Sequence, residues 1–109
     1  MEIKNGVSLL GLQPVMRPVL REAERIWNEN GRAEGVTITC GPGGTHGATS
    51  WHYYGYALDL RTRYFGKDQV QEIYHDLREA LPNYDVVMHD THIHVEISNQ
   101  LAVKLNVFY

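Results

Sequence analysis

Side chains that can bind a metal ion lie on one side of a short segment near the carboxyl end of the chain. The segment His92–Ile97 reads HIHVEI and alternates polar and apolar residues with a period of two. This period is typical of a β-strand, which sends successive side chains to opposite faces of a sheet. His92, His94 and Glu96 are therefore expected on one face. That face could be a solvated side of the sheet, or it could be a site.

A second motif lies upstream, where residues 50–59 read SWHYYGYALD. His52 precedes Asp59 by seven residues, and Asp59 belongs to a predicted strand, Ala57–Leu60, whose leucines face the other way. A carboxylate in this position can face His94 across the sheet. Two histidines and an aspartate form a set of three donors that zinc accepts, with a fourth position left open for water.

Together, S-x-H-x2-G-x-A-x-D and the later H-x-H resemble the zinc peptidases of the D-Ala-D-Ala carboxypeptidase/L,D-endopeptidase family, including its phage-lysin type. These enzymes share their fold with the N-terminal signalling domain of Hedgehog proteins. The resemblance spans residues 41–97 and implies three zinc ligands: His52, Asp59 and His94. It also implies that His46 lies near the metal and that Ser50 helps to hold the substrate and the metal-binding loop.

The chain departs from this family at the general base. Many members carry a glutamate a few residues before the third ligand, whereas residues 87–94 read VMHDTHIH. The base is then expected to be His92, His89 or Asp90, unless catalysis has been lost. We favour His92, which lies two residues from a ligand on the same strand face. Glu96 is interpreted as a partner that orients a ligand histidine.

The expected function is zinc-dependent hydrolysis of a peptide bond in the stem peptides of bacterial peptidoglycan. The enzyme would be a D-Ala-D-Ala carboxypeptidase or an endolysin-type endopeptidase, and a pocket closed at one end by an arginine would favour the carboxypeptidase. The alternative is a non-catalytic, zinc-stabilised binding module of the same fold, because a fold does not fix a function. The expected partner is a peptidoglycan peptide, bound by a monomer.

Composition excludes several other classes of protein. A chain of 109 residues with a net charge of −3 fits one domain, 1–109, and offers no basic surface for nucleic acid or a membrane. The apolar runs are too short to span a bilayer. The first residues lack the features of a signal peptide, so we expect synthesis in the cytoplasm and action at the bacterial cell wall as a phage-type lysin. Cys40 is the single cysteine and is interpreted as a small buried hydrophobic residue.

Periodicity predicts an α+β fold with a small antiparallel sheet and helices packed on one face, like that of the Hedgehog and D-Ala-D-Ala peptidase domains. Residues 41–50 form a glycine-rich loop. The predicted helices are Pro14–Asn28 and Asp68–Ala80, the second with Asp68 as a candidate cap. The predicted strands are Val36–Thr39, Ala57–Leu60, Tyr84–Met88 and His92–Ile97, with Leu101–Val107 as an edge strand.

Overall fold

The computed structural model describes residues 1–42, 50–52 and 54–107. This part of the chain forms a compact α+β domain with five strands and three helices. The strands are β1 (Glu2–Ile3), β2 (Thr37–Cys40), β3 (Ala57–Arg61), β4 (Tyr84–Met88) and β5 (His92–Ile97). The helices are α1 (Arg17–Glu29), α2 (Lys67–Ala80) and α3 (Asn99–Lys104), and a 3-10 turn, Pro14–Met16, leads into α1.

The sheet has the strand order β1-β2-β3-β5-β4 and is mixed. Neighbouring strands run antiparallel except β1 and β2, which pair in parallel. The prediction of a purely antiparallel sheet is therefore wrong at this edge. The two parallel strands are joined by a long connection that contains α1, as a parallel pair requires.

The two predicted helices are confirmed as α1 and α2, although the start of the first, Pro14–Met16, is a 3-10 turn. Both helices bury their apolar stripes in one core together with the inward side chains of β3 and β5, so they lie on one side of the sheet. Trp27 is the largest side chain of this core, and its indole N–H donates to the backbone oxygen of Arg61, 2.9 Å away. Asp68 lies in the first turn of α2, whereas Gly66 is the N-cap, so the capping role expected of Asp68 is not found.

The prediction of an edge strand over Leu101–Val107 is wrong. The tail forms α3, which begins after Ser98. The Ser98 hydroxyl accepts a hydrogen bond from the backbone N–H of Leu101 at 3.1 Å, as a serine N-cap does. Ala102 is fully buried and fixes the helix on the core. No helix in residues 1–42, 50–52 or 54–107 is long and apolar enough to cross a membrane.

Candidate metal centre

The pairing of β3 with β5 creates a polar face on the side of the sheet away from the core. Asp59 lies directly opposite His94, and Arg61 lies opposite His92. The alternate residues of β5 are the fully buried ones, which confirms the predicted register of this strand. Two interior strands of the sheet thus hold the polar groups at fixed positions.

A tight turn brings His52 to the start of β3. The Ser50 hydroxyl accepts a hydrogen bond from the backbone N–H of His52 at 3.2 Å, and the backbone N–H of Gly55 donates to the His52 carbonyl at 3.1 Å. Gly55 has φ of 84°, and a Cβ atom there would lie 2.2 Å from the carbonyl oxygen of Gly11. The glycine of the S-x-H-x2-G motif is therefore required both by its backbone conformation and by the neighbouring segment.

Asp59 lies at the centre of the cluster. Its Oδ1 atom is 2.8 Å from His94 Nδ1 and 3.2 Å from His52 Nε2, and its Oδ2 atom is 3.7 Å from His92 Nε2. Burial alone would raise the pKa of the Asp59 carboxyl, but the hydrogen bonds from His52 and His94 outweigh it and hold that pKa well below its usual range.

His94 is held between two carboxylates. Its Nδ1 atom faces Asp59, and its Nε2 atom lies 2.7 Å from Glu96 Oε1. Burial disfavours the charged ring, but the hydrogen bonds to Asp59 and Glu96 prevail and raise the pKa of His94. A carboxylate on the far nitrogen of a histidine is the usual arrangement around a metal-binding imidazole, because it fixes the ring and its tautomer. Glu96 occupies that position.

Of the three residues considered as general base, His92 lies nearest to the cluster. Burial lowers the pKa of the His92 ring despite the opposing charge of Asp59. The ring of His89 stacks on that of His92, with centroids 4.7 Å apart. Asp90 is exposed at the end of the β4–β5 hairpin. These positions leave the assignment of the base a prediction.

Cys40 also belongs to this cluster, which the sequence did not indicate. Its sulfur atom, a ring nitrogen of His52 and a carboxylate oxygen of Asp59 lie within 4.8 Å of one another, so the three residues could hold a metal ion. The side chain is half-buried, so the interpretation of Cys40 as a buried hydrophobic residue is wrong. Burial, together with the charge of Asp59, raises the pKa of the Cys40 thiol.

A register shift explains the position of Cys40. Ile38 pairs with Leu60, and continued regular pairing would set Thr39 opposite Asp59. Cys40 pairs with Asp59 instead, so β2 has one extra residue between these two pairs. Such a bulge changes the direction of the side chain beside it. Strict alternation would have sent Cys40 to the core with Ile38.

The donor set fits a metal ion of borderline softness. Imidazole nitrogens, a carboxylate oxygen and a thiol sulfur are accepted by zinc and by several transition metals, whereas calcium and magnesium prefer oxygen donors alone. His52 and His94 both contact the Asp59 carboxylate, but the group of described residues that could hold a metal ion joins His52 and Asp59 with Cys40 and does not include His94. His46, which is expected near the metal, lies outside the described residues.

A cleft of about 340 Å³ lies beside His89, at the end of the sheet where β4 turns into β5. Phe65 and Met88 supply apolar surface in it, and Arg63 and Lys67 supply two positive charges beside the one carboxylate of Asp90. His89 lines this cleft, and its ring stacks on that of His92. A space of this volume is large enough for part of a short peptide.

Comparison with known proteins adds no assignment to this geometry. No protein-family model matches the chain, and the search of curated proteins finds no match. The resemblance to zinc peptidases therefore stays a prediction from the residues of the two motifs.

Proposed function

We propose that this domain is a zinc-dependent peptidase that hydrolyses a peptide bond in the stem peptides of bacterial peptidoglycan. The observation that carries the proposal is the approach of His94 Nδ1 and His52 Nε2 to one carboxylate oxygen, Asp59 Oδ1, at 2.8 and 3.2 Å. Two neutral imidazoles and a carboxylate are a suitable set of protein ligands for catalytic zinc. The substrate class follows from the resemblance of the motifs to the peptidase family.

In this proposal His52, Asp59 and His94 hold the zinc ion, and Glu96 fixes the ring of His94 through its Nε2 atom. When bound, zinc polarises a substrate carbonyl and lowers the pKa of water from about 15.7 towards roughly 7. His92 accepts a proton from water at Nε2, the ring atom that faces Asp59. It then returns this proton to the amine that leaves when the peptide bond is cut. His89 supports the His92 ring by stacking on it.

The surroundings of the cluster suit an anionic peptide. Arg61 lies opposite His92 on the polar face, and Arg63 and Lys67 line the neighbouring cleft. Guanidinium groups bind carboxylates in two-pronged hydrogen bonds, and stem peptides carry free carboxylates. In the proposed setting, a monomer made in the cytoplasm acts at the bacterial cell wall in the manner of a phage lysin.

The test is cleavage of purified muropeptides by the zinc-loaded protein, followed by mass spectrometry. Product should form, should disappear after chelation and should return when zinc is added back. His94→Ala should abolish cleavage, whereas His75→Ala, which removes an exposed histidine from α2, should retain it. Zinc-loaded protein that leaves all muropeptides intact would refute the peptidase assignment.

A second candidate function is a non-catalytic binding module that the metal stabilises. The absence of glutamate from residues 87–94 favours it, because the usual general base of the related peptidases is missing. For this candidate, zinc should raise the melting temperature and muropeptides should bind without being cut. The same preparation and the same substrates therefore separate the two candidates.

A further inference from the structure

The sulfur atom of Cys40 lies in the same cluster as two of the proposed zinc ligands. One donor atom each from Cys40, His52 and Asp59 falls within 4.8 Å of the other two. In a tetrahedral zinc site, bond lengths of about 2.0–2.3 Å place donor atoms about 3.3–3.6 Å apart. With these bond lengths, side-chain movements of about 1 Å would be enough to bring the three donor atoms around one ion.

The bulge in β2 is an independent reason to connect Cys40 with this site. Val36 and Ile38 are fully buried, and strict alternation would place the next even-numbered residue in the core beside them. The extra residue after Ile38 instead sets Cys40 opposite Asp59. Bulges are frequent next to functional sites, where they redirect a side chain. Here the redirected side chain is the one thiol of the chain.

We propose that Cys40 supplies a thiolate ligand to the metal ion held by His52, Asp59 and His94, which completes a set of four protein donors. This inference rests on the metal site of the proposed function. As the sulfur–metal bond forms, the Cys40 thiol loses its proton to solvent, and no oxidant or reductant is consumed. His94 would donate through Nδ1, with Nε2 still held by Glu96.

A thiolate changes which ions the site prefers. Soft sulfur donors favour zinc, cobalt and cadmium over magnesium and calcium, which require oxygen. Four protein donors also fill a tetrahedral coordination sphere, whereas three leave a position open. If Cys40 fills the fourth position, water would reach the ion of the proposed peptidase as a fifth ligand, which zinc accepts in some catalytic sites.

Cobalt(II) provides a direct test, because a cobalt–thiolate bond gives a charge-transfer absorption in the near ultraviolet that nitrogen and oxygen ligands lack. The chain has a single cysteine, so any such band reports Cys40. We expect the band in the cobalt-loaded wild type and its loss in Cys40→Ser, with the visible cobalt bands retained. The matched control is Thr39→Ser, the neighbouring residue of β2, which should keep the band.

Zinc affinity supplies a second measurement, by competition with a chromophoric chelator. Residues that only contact a metal ligand already change metal affinity by about 10–100-fold when they are replaced. Loss of a direct ligand in Cys40→Ser should therefore weaken zinc binding by at least about tenfold. Thr39→Ser should stay within about twofold, because serine keeps the hydroxyl that donates to the backbone oxygen of Asp59.

The outcomes distinguish this inference from the proposed function. Visible cobalt bands without the charge-transfer band would overturn the role of Cys40 and leave the other three ligands in place. Absence of all cobalt bands would overturn both proposals. A charge-transfer band in a protein that cuts no muropeptide would support the thiolate ligand and refute the peptidase.

Discussion

Two carboxylates of this domain have pKa values below their usual range, and they hold very different partners. Glu24 on α1 lies 2.7 Å from the terminal ammonium of Met1 and accepts a hydrogen bond from the backbone N–H of Val36 at 2.8 Å. Asp59 on β3 is surrounded by imidazole rings. The contacts of Glu24 connect the N-terminus, α1 and the segment that leads into β2. The contacts of Asp59 connect the turn that carries His52 with the strands β3 and β5.

The partners explain the difference in what each carboxylate can do. An ammonium and a backbone N–H only donate hydrogen bonds, so the partners of Glu24 have no lone pair to offer a metal ion. Glu24 therefore holds segments of the chain together. An imidazole that loses its proton presents a lone pair, so the partners of Asp59 can exchange their hydrogen bonds for bonds to a metal ion. A low carboxyl pKa is therefore common to a structural tie and a metal site, and the chemistry of the neighbours separates them.

The largest effect is expected from Asp59→Asn. The amide removes the charge that two histidines share, so the protein should lose its full equivalent of bound zinc and all muropeptide cleavage. Elemental analysis after dialysis measures the metal, and circular dichroism checks the fold. Glu24→Gln serves as the control and should retain one zinc per chain. One zinc per chain in Asp59→Asn would contradict the assignment of this ligand.

His92→Ala should slow cleavage by about 10²–10⁴-fold with zinc content unchanged, because removal of a general base has effects of this size. Turnover and zinc are measured on one sample. Near-wild-type turnover with full zinc would exclude His92 and transfer the role to His89 or Asp90. The proposed mechanism is wrong if the single substitutions at all three positions leave turnover intact.

Glu24→Gln should lower the free energy of unfolding of the metal-free protein by roughly 1 kcal/mol. The variant weakens a charged pair and a hydrogen bond to the backbone, and the value is modest because the side chain is partly exposed. Urea denaturation measures the change. Glu29→Gln is the matched control, since Glu29 pairs with Arg25 on the exposed face of the same helix and should change stability by less than about 0.5 kcal/mol. Equal losses of unfolding free energy in the two variants would show that the hydrogen bond from Val36 to Glu24 adds nothing to stability.

The smallest effect is a change in the pH dependence of stability of the metal-free protein. Folding lowers the pKa of both Glu24 and Asp59, so the unfolded chain binds more protons in acid, and stability should fall as pH drops below their ordinary values of 4.5 and 3.8. Folding raises the pKa of His94, so its contribution is present below the ordinary value of 6.5 and is lost as pH rises through the folded value.

Urea midpoints measured across acid and neutral pH test this dependence. Glu24→Gln and Asp59→Asn should each flatten part of the loss in acid. Asp59→Asn should also reduce the change near neutrality, because Asp59 and Glu96 both raise the pKa of His94 and this variant removes the charge of one of them. Midpoints that are constant from about pH 7 to about pH 3 would contradict the coupling of these groups to folding.

The sequence predicts well the elements whose pattern is strong and regular. The alternation of β5 is complete over six residues, so its bounds and both of its faces follow from side-chain type alone. The two long helices likewise have apolar stripes over three or more turns. The spacing of His52 and Asp59 and the facing position of His94 therefore combine into a candidate site from residue types and spacing alone.

Other features depend on contacts that a pattern does not encode. β1 has two residues, too few for any period to be visible, and it forms because β2 offers an unpaired edge. The serine cap at Ser98 is a readable signal for α3, but the β-branched and leucine residues after it suggest a strand. The position of Cys40 depends on one extra residue in β2, which alternation cannot reveal. The sequence likewise gives no sign that β1 pairs with β2 in parallel, because a strand of two residues shows no pattern.

The pairing of β3 with β5 has a consequence for the order of events when the chain folds. Asp59 and His94 are 35 residues apart in sequence, and α2 and β4 lie between them. Closing so long a segment is entropically costly and tends to come late in folding. The metal ligands then exist as a set only after the two interior strands have joined. Zinc added to a refolding sample should therefore bind to the full set of ligands only after β3 and β5 have paired, and the rate of metal uptake should report that pairing.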